Sequence, residues 1–94
     1  MRIAGEIEHP VLKITIFQMD NRFTVKFEDG TIEQAYKFRK SEAINSAADI
    51  RKLVDERFQE QVMEQMKALR QLHQEVLQRF QPEIEEDDEF EEII

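Results

Sequence analysis

Histidines are the side chains in this sequence best suited to acid–base or metal chemistry, and their surroundings do not support either. His9 directly precedes Pro10, and His73 lies within a strongly helical segment. The residues four positions away from His73 are Leu69 and Leu77, which cannot coordinate a metal ion. The sequence has no cysteine and only two glycines, so it contains no thiolate zinc site, disulfide framework or glycine-rich phosphate loop.

Carboxylates recur at a regular spacing in the same helical segment. Glu56, Glu60 and Glu64 are four residues apart and would share one helix face. A charged face of this kind is normally solvated, and no nucleophile motif such as Gly-x-Ser-x-Gly accompanies it. We therefore predict a non-enzymatic protein with no catalytic residue, no metal and no cofactor.

The acidic residues concentrate in the last stretch of the chain. Eight of the 21 Asp and Glu residues fall in residues 82–94, which contain no Lys or Arg. The other 13 acids balance the 13 bases, so the formal net charge of −8 belongs to this tail. We predict that the tail is disordered because like charges repel. The alternatives are that Phe90 and Ile93 anchor it in a partner protein, or that it covers a basic sheet face.

Residues 11–39 predict a three-stranded antiparallel β-meander. Apolar and polar residues alternate, and Asp20-Asn21 and Asp29-Gly30 form two-residue hairpin loops. These loops place the large apolar side chains on one face, with Phe23 opposite Tyr36. Residues 1–10 hold fewer signals, and a short extra N-terminal strand is the alternative to a loop.

The opposite face of this sheet is predicted to be basic. Lys13 would face Glu28, and Lys26 would face Glu33. The same face would also carry Phe17 and three further bases, which are Arg22, Lys37 and Arg39. Sheet faces that combine bases with aromatic rings bind single-stranded nucleic acid, which makes this an alternative function. The candidate partner-contact residues on this face and in the tail are Phe17, Lys13, Arg22, Lys26, Lys37, Phe90 and Ile93.

A single long helix is predicted from residue 46 to residue 81, because this segment lacks Gly and Pro and is rich in helix-forming residues. Ser46 is a favourable N-cap, and Pro82 is expected to end the helix. Such a helix would be roughly 50 Å long, so its first half can cover the sheet while its second half needs another partner. The predicted dimer-interface residues follow a heptad-like spacing and are Val62, Met66, Leu69, Leu72, His73, Val76, Leu77 and Phe80.

The sequence thus predicts an α+β fold with one domain and one appendage. Residues 1–81 form the domain, with the sheet in residues 11–39, a linker in residues 40–45 and the helix after it; residues 82–94 form the tail. No apolar run is long enough to span a bilayer and no signal peptide precedes the domain, so we expect a cytoplasmic protein. The leading functional prediction is a small adaptor that forms a homodimer through its helix, and the alternative is a nucleic-acid-associated regulator whose tail competes for the basic face.

Overall fold

The computed structural model describes the backbone of residues 1–88 and the side chains of residues 1–80. One antiparallel sheet with its strands in chain order is followed by two helices. The elements are β1 (Arg2–Ile7), β2 (Lys13–Gln18), β3 (Arg22–Glu28), β4 (Glu33–Arg39), α1 (Ala47–Leu53) and α2 (Glu56–Asp88). The predicted α+β class and long helix are confirmed, but the sheet has four strands rather than three.

The additional strand, β1, pairs with β2 and forms one edge of the sheet. Its pairing shifts between Ile3 and Gly5, so one residue is left over as a β-bulge. Arg51 of α1 crosses this strand and donates a hydrogen bond from Nη1 to the Glu6 carbonyl oxygen at 2.9 Å. Glycine permits that approach, since a Cβ at position 5 would lie 2.6 Å from Arg51 Nη2. The edge strand is therefore held by both its neighbouring strand and the first helix.

The β2–β3 hairpin has the predicted register, with Ile14 opposite Phe27 and Ile16 opposite Val25. Its loop is Asp20-Asn21, and the Met19 N–H donates to the Arg22 carbonyl oxygen at 2.9 Å.

The register predicted for the β3–β4 hairpin is wrong. Phe23 faces Phe38 rather than Tyr36, because the central loop residues are Gly30 and Thr31 rather than Asp29 and Gly30. Gly30 has a φ of 98°, and glycine suits the first central position of a tight hairpin. The error amounts to two residues, so each side chain stays on its predicted face.

The core lies between the apolar sheet face and the two helices. Its largest fully buried side chains include Phe23, Phe27, Ile14 and Ile50. Phe58 of α2 packs edge-on against Phe27, with the ring centroids 5.3 Å apart.

One polar residue on the apolar sheet face, Gln34, is paired rather than orphaned. Its Nε2 donates to the Val62 carbonyl oxygen at 3.1 Å, and its Oε1 accepts from the Tyr36 hydroxyl at 2.5 Å. These bonds fix the sheet and α2 to each other at one position.

The predicted single helix is divided at Val54 and Asp55, which is a correction to the sequence reading. Ser46 caps α1 as predicted, accepting a hydrogen bond from the Asp49 N–H. Asp55 begins a new helix because its carboxylate accepts from the Phe58 N–H at 2.9 Å. The Gln59 side chain donates to the Val54 carbonyl oxygen, so the break leaves that acceptor satisfied.

The predicted end of the helix at Pro82 is also wrong, because the backbone of α2 remains helical to Asp88. Proline has a helical φ, so a helix can pass through it, although this removes one intrahelical hydrogen bond and crowds the carbonyl group four residues earlier. The described molecule is elongated, with extents of 60 × 27 × 20 Å and a radius of gyration of 18.3 Å. A compact chain of this length would have a radius of about 12–13 Å.

The acidic tail is only partly covered by the structure. The backbone of residues 82–88 belongs to α2. Residues 89–94, including the candidate contacts Phe90 and Ile93, lie outside the described residues, as does the predicted disorder of that stretch.

Candidate interaction surfaces

The first candidate surface is the apolar side of the projecting part of α2. The helix follows β4 in the opposite direction, passes Val62 over Gln34, and forms an ion pair between Arg70 and Asp29 of the β3–β4 turn. Beyond Arg70 the sheet ends, and the helix continues for 18 residues, or about 27 Å. We name the large apolar side chains exposed on this part the distal stripe: Leu72, Val76, Leu77 and Phe80.

The distal stripe is exposed to an unusual degree for large apolar side chains. Leu72 is 54% exposed, Val76 45%, Leu77 41% and Phe80 61%. Side chains of this kind are normally buried, and a contiguous exposed set on one helix face marks an interaction surface. His73 lies among them and is also exposed.

Two predicted interface residues do not belong to this surface. Val62 and Met66 are 1% and 0% exposed within the chain's own core, so the prediction that they contact a second copy is corrected. Leu69 is half-buried at the junction between the covered and the projecting parts. The heptad-like spacing did not reveal this division, since it continues through both parts.

The second candidate surface is the sheet face that no helix covers, which we call the outer face. The register places one row of Ile3, Phe17, Thr24 and Lys37 across the four strands. Thr24 is only 9% exposed, so the middle of this face is lined by packed side chains rather than open to solvent.

One end of the outer face carries an ion pair. Lys26 binds Glu28 at 3.0 Å, and this hydrogen bond raises the pKa of the Lys26 ammonium group. The predicted pairing of Lys26 with Glu33 is wrong, because Lys26 faces Ala35. Lys13 lies opposite Glu28 as predicted. The Lys26 ammonium also lies 5.4 Å from the centre of the Phe17 ring, so the ring predicted to contact a partner already has a cation over it.

Bases at the other end of the outer face lie together. Arg22 and Arg39 are directly opposite each other, and Lys37 is two residues before Arg39 on the same face. These three side chains and Asn21 line a shallow cleft of about 260 Å³. The sequence prediction named Arg22 and Lys37 as partner contacts but did not include Arg39, which only the observed register places against Arg22.

The two histidines have different surroundings: His73 is exposed beside the distal stripe, whereas His9 is hydrogen-bonded in a turn. The Nδ1 atom of His9 accepts hydrogen bonds from the backbone N–H groups of Val11 and Leu12, at 3.1 and 3.0 Å. His9 therefore stabilises the turn between β1 and β2. Among the side chains that the structure describes, those of residues 1–80, no group of three or more His, Asp and Glu is arranged to hold a metal ion.

Comparisons with known proteins add no functional assignment. No protein-family model matches the chain, and no curated protein or solved structure is significantly similar to it. Among the helical residues that the structure describes, no stretch is both long and apolar enough to cross a membrane.

Proposed function

We propose that this protein is a non-catalytic interaction module that forms a homodimer through the distal stripe of α2. The observation that carries the proposal is the exposure of Leu72, Val76, Leu77 and Phe80 on a helix that has left its own sheet. A second copy supplies a matching apolar surface without any other partner, and two-fold dimers are the most common oligomers.

Charge favours an antiparallel arrangement of the two helices. A parallel pair would place residues 82–94 of both copies side by side, and these carry eight acids each with no base. In an antiparallel pair centred on Val76, Leu72 of one copy lies opposite Phe80 of the other. That pairing brings apolar side chains of the two copies together and keeps the two acidic tails at opposite ends of the contact.

The dimer would separate two folded sheets by the length of the paired helices. Each copy would keep its outer face and its acidic segment accessible, which suits an adaptor that joins two partner molecules. As the second part of this proposal, the acidic tail contacts a partner protein through Phe90 and Ile93.

Sedimentation velocity of the full chain tests the dimer, over roughly 1 to 100 µM so that mass action is visible. We expect twice the mass of one chain for the wild type and a single-chain mass for the double variant Leu72→Asp, Val76→Asp. The matched control is Gln74→Asp, Gln78→Asp, which adds the same charge on the opposite side of the same helix. A wild-type monomer at the highest concentration contradicts the proposal, and so does a dimer that survives the apolar-to-acidic changes.

The nucleic-acid alternative is less well supported. Lys26 is engaged with Glu28, so the bases do not form a continuous track along the outer face. Phe17 is the one aromatic side chain in its cross-strand row, and the Lys26 ammonium lies over it. A strand of nucleic acid would need several phosphate contacts and stacking rings in succession.

A further inference from the structure

The cluster of bases at the Asn21 end of the outer face is unfavourable unless an anion accompanies it. Arg22 and Arg39 are direct cross-strand neighbours, and like charges in that position destabilise a sheet. Lys37 adds a third positive charge to the same cleft. Among the strand residues of this face, the acids are Glu28 and Glu33, which face each other at the far end of β3 and β4, and Glu6 of β1, which lies opposite Thr15.

Two polar atoms beside this cleft are buried without partners. Neither Nε of Arg22 nor Oγ1 of Thr24 has a hydrogen-bond partner among the described residues. Both residues point to the outer face from β3, two positions apart, and Thr24 lies opposite Lys37. Buried donors are nearly always satisfied in folded proteins. Arg22 lines the cleft, so its orphaned Nε leaves one donor of the basic cluster without an acceptor.

The described backbone of the acidic tail, residues 82–88, is directed away from this cleft. Helix α2 passes Asp29 in the β3–β4 turn and continues away from the sheet. Asn21 belongs to the β2–β3 turn at the other end of the strands. Strand length and helix projection together separate the cleft from the Asp88 backbone by about 50 Å, which is too far for residues 82–88 to supply the acceptor, so we look for it in another molecule.

We propose that Arg22, Lys37 and Arg39 form a binding site for the phosphate group of a small phosphorylated ligand. Arginine guanidinium groups bind phosphate through two parallel hydrogen bonds, and two such groups with one ammonium neutralise a phosphate dianion. Asn21 also lines the cleft, so its side-chain amide can serve as a neutral donor. A cleft of about 260 Å³ is suited to one phosphate and the adjoining part of a small molecule rather than to a polymer.

Amide chemical shifts of the full chain, recorded during titration at constant ionic strength, test this site. The probes are inorganic phosphate, glycerol phosphate and a single-stranded oligonucleotide, with sodium chloride as the salt control. We expect saturable shifts at residues 21–24 and 37–39 with either small phosphate compound. Tighter binding of inorganic phosphate would indicate that the ligand is the free ion. Tighter binding of glycerol phosphate would indicate that the ligand is a phosphate ester.

Two variants make the result specific to the cleft. Arg39→Gln and Lys37→Gln should each weaken phosphate binding by about tenfold, the effect of losing one charge-assisted hydrogen bond. Lys13→Gln removes a base from the opposite end of the same face and should leave binding unchanged. At equal phosphate concentration, the melting temperature should also rise more in the wild type than in Arg39→Gln, which provides a readout independent of the shifts.

Three results would overturn the assignment. The first is the absence of saturable shifts at these residues, and the second is an equal loss of binding in Lys13→Gln, which would indicate general screening. The third is that the oligonucleotide binds while neither small phosphate compound does, which would indicate that the cleft recognises nucleic acid.

Discussion

The two parts of α2 have similar apolar spacing and opposite surroundings. From Glu56 to Arg70 the stripe lies on the sheet, and Val62 and Met66 are fully buried. From residue 71 to residue 80 every side chain is exposed, the large apolar ones included. Amphipathic spacing therefore shows which side of a helix will be covered, while the length of the sheet decides how much of that side is covered by the chain itself.

The largest expected difference between the two parts is in folding stability. Met66→Ala should lower the free energy of unfolding by about 2–5 kcal/mol, because it leaves a cavity in a closed core. Val76→Ala should change that free energy by no more than about 0.5 kcal/mol in the monomer, because its side chain is already 45% exposed. Urea denaturation at a protein concentration below that of dimer formation measures both. Equal losses would show that the projecting part is covered within one chain.

A smaller effect is expected at the start of the covered part. Asp55→Ala should cost about 1 kcal/mol, because the Phe58 N–H loses the carboxylate that caps α2. Asp55→Asn is the matched control, since asparagine caps helices nearly as well. Thermal unfolding followed by circular dichroism gives both values, and sedimentation should show that dimer mass is unaffected. A destabilised Asn variant would mean that the charge, rather than the cap, matters at this position.

The smallest effect concerns Asp29, at the boundary between the two parts. Its carboxylate accepts from the Ile32 and Thr31 N–H groups and pairs with Arg70, which together lower its pKa from 3.8. A lowered folded-state pKa means that the contribution is present above pH 3.8 and is lost as the pH falls through the folded value.

The melting temperature of the wild type should therefore fall more steeply below pH 4 than that of Asp29→Asn, which cannot titrate there. Asp49 retains its own lowered pKa in this variant, so the acid slope should diminish without disappearing. Identical slopes of melting temperature against pH for the two proteins would show that Asp29 does not contribute to the acid sensitivity.

Sequence reasoning was most successful where several local signals agreed. The alternation in β2, β3 and β4 placed Ile14, Val25 and Phe27 on the buried face, and an error of two residues in one hairpin did not alter that result. The prediction that the helix would extend past its sheet is also confirmed by the exposed distal stripe.

Prediction from the sequence was least successful where one side chain decides between two backbone conformations. The steps of four from Ile50 to Met66 are compatible with one continuous helix, but the chain leaves the helical path at Val54. The available signal for this break was Asp55 itself, because aspartate is a favourable helix N-cap. An aspartate within a helix-forming segment is, however, equally compatible with a solvated position. The cluster of Arg22 and Arg39 depends on the hairpin register, which Gly30 shifted by one loop position.

The bulge in β1 has a consequence for how these molecules meet one another. A regular edge strand is a template on which the strands of other molecules can add without limit. Here the ladder is interrupted between Ile3 and Gly5, and the Glu6 carbonyl is already occupied by Arg51. Addition of further strands at that edge is thereby discouraged, which leaves the distal stripe as the surface through which we propose that two copies associate.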